Sequence, residues 1–144
     1  MDQLNLAQCK TCACANLRGA ARAVTRLYDD ILRPSGLQVT QFTLLVRIAL
    51  AGPAPITQLA EGLVMDRTTL TRNLKPLEKQ GLIQVASGED HRIRWVSLTE
   101  PGHQALVKAL PLWEKAQAQA VKSLGAERFG ALLTDLSAIT SLGG

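Results

Sequence analysis

Two clusters in this 144-residue sequence carry side chains that can do chemistry. The first is "CKTCACANLRGAAR", which places Cys9, Cys12 and Cys14 within six residues, followed by Arg18 and Arg22. Three soft thiols at Cys-x-x-Cys-x-Cys spacing suit zinc, copper(I) or trivalent arsenic. Zinc would want a fourth ligand, and His91 and His103 lie far away in sequence. A thiol near a helix start and a cation can instead hold its thiolate and oxidise, first to a sulfenic acid and then to a disulfide. The third reading is plain packing, since free cysteine behaves as a small apolar residue. The spacing leaves all three open.

The second cluster is "MDRTTLTRNLKPLEKQGLI", residues 65–83. Arg67, Thr68, Thr69, Thr71, Arg72, Asn73 and Lys75 crowd the first turns of one predicted helix. These side chains donate to phosphates and to base edges. The acids stay outside the crowd, at Asp66 and Glu78, whereas a solvated helix face usually mixes Glu with Lys and Gln. No nucleotide loop, His-Glu-x-x-His or Gly-x-Ser-x-Gly motif is present, so no enzyme and no cofactor are expected.

The elements that must position these residues follow from periodicity. Leu17, Ala21, Val24, Tyr28 and Ile31 recur at spacings of three and four, as the apolar stripe of a first helix beginning near Cys14. Arg18, Arg22 and Arg26 form a second stripe beside it, and "RPSG" at 33–36 stops the helix. "TQFTLLVRIALAG" at 40–52 reads as a very apolar helix with Thr40 as N-cap, and "PAP" at 53–55 breaks the chain. Ile56, Leu59, Ala60 and Leu63 make a short helix, Val64 and Met65 a tight turn, and Asp66 caps the basic helix, whose Leu70, Leu74 and Leu77 face inward. Gly81 stops that helix. Two short helices across a brief turn form a helix-turn-helix, and the second meets the major groove with its N-terminal turns. "IQVA" and "IRWVSL" then alternate as two short strands around "SGEDHR", a turn carrying Asp90, His91 and Arg92, with Arg94 beyond it. A hairpin in this position is the wing of a winged helix, and a basic tip can enter a minor groove.

Residues 100–125 predict a long helix with Leu106, Leu110, Trp113, Ala116 and Ala120 on one side and a kink at Pro111. Residues 126–142 predict a last helix with Phe129, Leu132, Leu133, Leu136 and Ile139 inward. The fold class is mainly α with a small β-hairpin wing. One domain is expected over 1–144, with a DNA-binding lobe at 38–99 and terminal helices at 12–34 and 100–142 that suit either dimerisation or packing within one chain, which periodicity does not separate.

Composition agrees. Hydrophobic residues make up 47% and charged residues 19%, which argues for a folded core and against disorder. Aromatics are only 3%, fewer than an all-β sandwich uses. A net charge of +4 and a pI near 9.3 permit a polyanionic partner without demanding one. No run approaches the ~20 apolar residues of a membrane span. An odd, clustered cysteine count with no apolar leader points to a reducing cytoplasm.

"GEDHRIRWVSLTEPG" resembles the wing signature of MarR-family transcription regulators, in Asp90, Arg92, Leu98, Thr99 and Gly102. "LEKQGLI" resembles the end of the family's recognition helix and "GLQVTQFTLLVRIA" its second helix. Where the family often carries a basic residue after Leu-Ile, this chain has Gln84. The resemblance implies a homodimer on palindromic DNA, usually a repressor, with Arg92 in the minor groove and Asp90 helping to hold it. The family's organic-peroxide-sensing branch has a first-helix cysteine at the position of Cys14. This chain has Arg18 where that branch has a tyrosine, and Tyr28 is its only tyrosine. The implied signal is thiol oxidation at Cys14, with Cys9 or Cys12 as resolving thiol. The alternatives are a metal or metalloid on the three cysteines, and a phenolic or organic acid lined by Trp95, Trp113 and Arg47. A rival function is a winged-helix protein–protein module that binds no DNA.

Overall fold

The computed structural model describes residues 3–143. Six helices run in chain order: α1 (Ala13–Leu32), α2 (Val39–Ala51), α3 (Ile56–Gly62), α4 (Arg67–Lys79), α5 (Glu100–Leu124) and α6 (Ala126–Thr140). Three strands complete the fold: β1 (Ala54–Pro55), β2 (Ile83–Ser87) and β3 (Arg94–Leu98). The strands form one antiparallel sheet in the order β1-β3-β2, with Ala54 opposite Val96 and Val85 opposite Val96 on the other side. "PAP" is therefore more than a break. Ala54 is buried and pairs on the wing, which a two-residue strand cannot announce through periodicity.

The core lies beneath the helix-turn-helix. Leu32, Leu45, Ile48, Leu70, Leu77 and Val96 are at most 1% exposed, so α1, α2, α4 and β3 meet at one point. Phe42 and Trp113 stack 6.1 Å apart and extend this core onto α5. Tyr28 donates from its hydroxyl to the Gln117 side-chain carbonyl, joining α1 to α5, and burial raises its pKa. Asp29 accepts from the Val39 amide at 2.7 Å and fixes where α2 begins after α1 ends.

Several local expectations change. The N-cap of α2 is Gln38, not Thr40. The Gln38 side chain accepts from the backbone of the third helical residue, and the Gln41 side chain accepts from the Gln38 amide at 3.0 Å. Glutamine is a rare cap, and the threonine two residues on has the commoner chemistry. The long helix expected over 100–125 is present, and α5 runs through Pro111 as one helix from Glu100 to Leu124. A proline also sits within α4, at Pro76.

The terminal helices differ more. Leu110, expected inward, is exposed; Ala116 is buried as expected, and Gly102 and Ala109 are the other buried residues of α5. No residue of α6 is buried; Leu132, Leu133 and Ile139, expected inward, are exposed. On α1 the C-terminal half of the stripe is covered at Tyr28 and Leu32, while Val24 is 48% exposed and Ala21 and Cys14 are exposed as well. The periodicity was there, but one copy of the chain supplies nothing to cover these faces.

The α3–α4 turn carries one backbone oddity. Val64 has φ +53°, the left-handed region, and is the one non-glycine residue there among the described residues. Its amide bonds the Glu61 carbonyl and the Met65 amide bonds Ala60, the pattern of a helix C-terminus where glycine is usual.

If this core positions the helix-turn-helix, Leu45→Ala should lower unfolding free energy by about 2–5 kcal/mol. Urea denaturation followed by circular dichroism reads that loss; a change near zero would mean that the core does not hold the lobe together.

Candidate nucleic-acid interface

Asp66 begins α4. One of its carboxylate oxygens accepts from the Thr69 amide at 2.7 Å and the other from the Thr69 hydroxyl at 2.8 Å. These bonds, with the Arg72 charge nearby, hold its pKa below the ordinary carboxylate range. Thr69 is thereby committed to the cap and half-buried. Asn73 turns to the same side, with its amide 3.9 Å from the Met65 sulfur. It lines a groove with the α2 N-terminus and Pro76.

The remaining predicted side chains converge. Arg67, Thr68, Thr71, Arg72 and Lys75 line one open surface along the first turns of α4. Leu70, Leu74 and Leu77 anchor the opposite face in the core. Five of the seven residues expected to act together share this surface; Thr69 is held by the Asp66 cap, and Asn73, also exposed, lines the adjoining groove together with Arg72. The two sets lie at intermixed positions of one helix, so residue type alone does not separate them.

The wing stands beside this surface. Arg67 and Lys75 share a cleft of about 220 Å³ with Arg94 of β3, over an apolar floor that includes Ile56, Leu74 and Val85. Arg67, Arg92 and Arg94 also meet Thr57 near the start of α3. The sequence reading missed Thr57. Its signal was slight, a hydroxyl in the first turn after "PAP". Trp95 lies on the outer side of the wing with its indole nitrogen close above Gly88, where an added Cβ would stand 3.1 Å away. His91 is exposed at the tip.

Arg92 is held without being hidden. Its Nε and one terminal nitrogen donate to the two Asp90 oxygens, each at 3.1 Å, and its backbone amide donates to the same carboxylate at 3.0 Å. The Ile93 amide closes the turn onto the Asp90 carbonyl. The Arg92 side chain remains 91% exposed. Guanidinium carries five N–H donors, so three stay free for an outside acceptor. The fork fixes the direction of the side chain before any partner arrives.

The cysteines sit far from this surface in the sequence, at and before the start of α1. Cys9, Cys12 and Cys14 are all exposed free thiols. Packing of Cys14 on a covered stripe is therefore not what this chain does alone. Cys12 is the N-cap of α1, and its sulfur accepts from the Ala15 amide at 3.5 Å. The Cys12 amide donates to the Cys9 carbonyl at 3.1 Å. Among the described residues, no three His, Cys, Asp or Glu side chains converge as they would to hold a metal ion. The proposed organic-acid lining is likewise dispersed. Trp113 stacks on Phe42 in the core, Trp95 lies on the wing, and Arg47 borders a shallow groove with Leu50 and Gln58. No helix among the described residues is long and apolar enough to cross a membrane.

Arg92 lowers the Asp90 pKa chiefly through the side-chain fork, then through its amide. A depressed carboxylate pKa keeps the fork intact through the ordinary carboxylate range and releases it only as pH falls through the lowered value. Following the Asp90 carboxyl carbon by NMR should give a midpoint below that of free aspartate, and Arg92→Ala should move it back up. A midpoint unaffected by Arg92→Ala would mean that the fork does not form in solution.

Residues 37–93 match the family model described as "MarR family". An HTH-type transcriptional regulator of Bacillus subtilis, YwoH, is 32% identical over 81 residues, covering 56% of this chain and 59% of that protein. The chain thus matches less than two thirds of the length of that relative. The organic hydroperoxide resistance transcriptional regulator of Bacillus subtilis is 32% identical over 100 residues, 69% of this chain and 68% of that one. Among solved structures, the M. tuberculosis transcriptional regulator MosR in complex with DNA is 41% identical, with a TM-score of 0.76 over 91% of this chain and 99% of that one. The recognition-helix surface, the wing and these likenesses agree, and the chain belongs to the MarR family of transcriptional regulators.

Proposed function

We propose that this protein is a homodimeric DNA-binding repressor that reads a palindromic operator, with α4 in the major groove and Arg92 of the wing in the minor groove. The observation that carries the reading is the single cationic front made by Arg67, Arg72 and Lys75 with the wing's Arg92 and Arg94. Thr68 and Thr71 stand among those cations as donors or acceptors for base edges. The DNA complex of the 41%-identical MosR supports the same partner. The exposed apolar faces of α6 and the N-terminal half of α1 support a second copy as their cover. Terminal helices at 12–34 and 100–142 then serve the dimer and residues 38–99 the DNA. Two linked lobes gain effective concentration on two half-sites.

Release from DNA by thiol oxidation fits the exposed Cys14. Its thiolate attacks the O–O bond of a peroxide, an alcohol or water leaves, and a sulfenic acid remains. The thiol of Cys9 or Cys12 then displaces water and closes a disulfide. Use of Cys12 would withdraw the sulfur that caps α1 from the Ala15 amide, so the chemistry acts directly on the start of a dimer helix. The hydroperoxide-resistance regulator among the relatives supports this signal over a metal or an organic acid. Such thiols need a reducing compartment at rest, which a cytoplasm supplies.

Two measurements test the reading. Fluorescence anisotropy on operator DNA should show affinity falling steeply with salt, and Arg92→Ala should weaken binding about tenfold. Salt-independent binding would favour the protein–protein module, and unchanged affinity of the variant would remove the wing from the mechanism. Cys14→Ser should keep the reduced protein's affinity and abolish release by an organic hydroperoxide. Persistent release from that variant would clear Cys14 of the role.

A further inference from the structure

We propose that Thr99 and Gly102 form the joint that fixes the recognition helix against α5, and that this joint sets the half-site spacing the dimer accepts. The inference rests on the DNA-binding dimer proposed above and assigns its spacing to named residues.

The end of α4 is closed by Gly81 at φ +77°, with the Gly81 amide on the Glu78 carbonyl and the Leu82 amide on Leu77. Beyond that closure, the Gly81 and Leu82 carbonyls both meet the residue that caps α5. The Thr99 hydroxyl donates to the Gly81 carbonyl at 2.6 Å. The same oxygen accepts from the Gly102 amide at 3.1 Å, as the N-cap of α5. The Thr99 amide donates to the Leu82 carbonyl at 3.1 Å. A Cβ on Gly102 would stand 2.0 Å from the Leu82 oxygen and 2.8 Å from the Leu98 side chain. One hydroxyl therefore caps the long helix and staples the end of the recognition helix, and a glycine permits the approach.

No slack surrounds this contact. β3 ends at Leu98 and α5 begins at Glu100, so Thr99 alone lies between them. α5 then runs unbroken for 25 residues towards the exposed apolar faces of the terminal helices. At 1.5 Å per residue it spans about 37 Å, so a tilt of about 5° at the joint moves its far end about 3 Å. That displacement matches the rise of one base pair, about 3.4 Å. A loosened joint would let the two recognition helices follow half-sites that a rigid one rejects.

The test uses the full chain and a duplex selected by the wild-type protein from a random library. Its half-sites are moved apart by one and two base pairs, and a single half-site is measured beside them. The wild-type protein should lose about tenfold or more in affinity at each altered spacing. Thr99→Val should bind the single half-site within about threefold of wild type, lose about tenfold at the native spacing, and show a flattened spacing profile. Thr99→Ser should restore the wild-type profile. Circular dichroism checks folding, and Thr99→Ala carries the comparison if the valine variant does not fold. Equal losses on half-site and full site would make Thr99 merely structural and overturn the proposal. A flat profile for the wild-type protein, or an unaltered one for Thr99→Val, would overturn it too. Failure of the wild-type protein to select any DNA would instead remove the DNA-binding reading itself.

Discussion

Burial of Leu45, Leu70, Leu77 and Val96 against one another is the interaction from which the rest of the structure takes its position. Each comes from a different feature of the lobe: the centre of α2, the start and end of α4, and the middle strand of the wing. Because α4 is anchored by its inner leucines, its outer face cannot rotate away from the direction in which Arg67, Thr71 and Lys75 point. Because Val96 is anchored, β3 carries Arg94 along that same face and the turn beyond it carries Arg92. Apolar contact thus determines where the polar groups stand. The polar groups add local aim: the Asp66 cap at the head of α4 and the Asp90 fork beneath Arg92.

Much of this was legible in the sequence, for physical reasons. Leucines at 70, 74 and 77 fix a helix and its inner face together, and Asp66 before them is a cap with few alternatives. The alternation around Val96 gave the wing, and "DHR" its tip. Other features depend on geometry that residue types do not encode. Thr69 and Thr71 are chemically identical, yet the Thr69 hydroxyl is taken by Asp66 while Thr71 lines the open surface. The strand at Ala54 and Pro55 is too short to carry a period. Gln38 caps α2 through a reciprocal pair with Gln41, a use of glutamine that propensity ranks low. For the terminal helices the periodicity was right about an apolar face and silent about which molecule covers it.

The cysteines illustrate a different limit. Spacing alone admitted a metal clip, a redox pair and simple packing. The structure separates Cys12, which caps α1, from Cys14, which lies within its first turn. The three thiols are exposed along the approach to the helix and do not gather into a metal-holding cluster among the described residues. Their shared consequence is mechanical: chemistry at these sulfurs bears on the first turn of α1, and α1 is tied to α5 through Tyr28 and Gln117.

Val64 carries a further meaning. A β-branched side chain in the left-handed region raises the energy of the folded turn, and its side chain is exposed, so packing returns little. The turn also lies just ahead of Asp66, without forming part of the cationic front. Variation at this one position can therefore raise or lower the stability of the whole lobe while leaving the DNA-facing side chains untouched. Stability and recognition are encoded at separate positions here, and selection can adjust one without renegotiating the other.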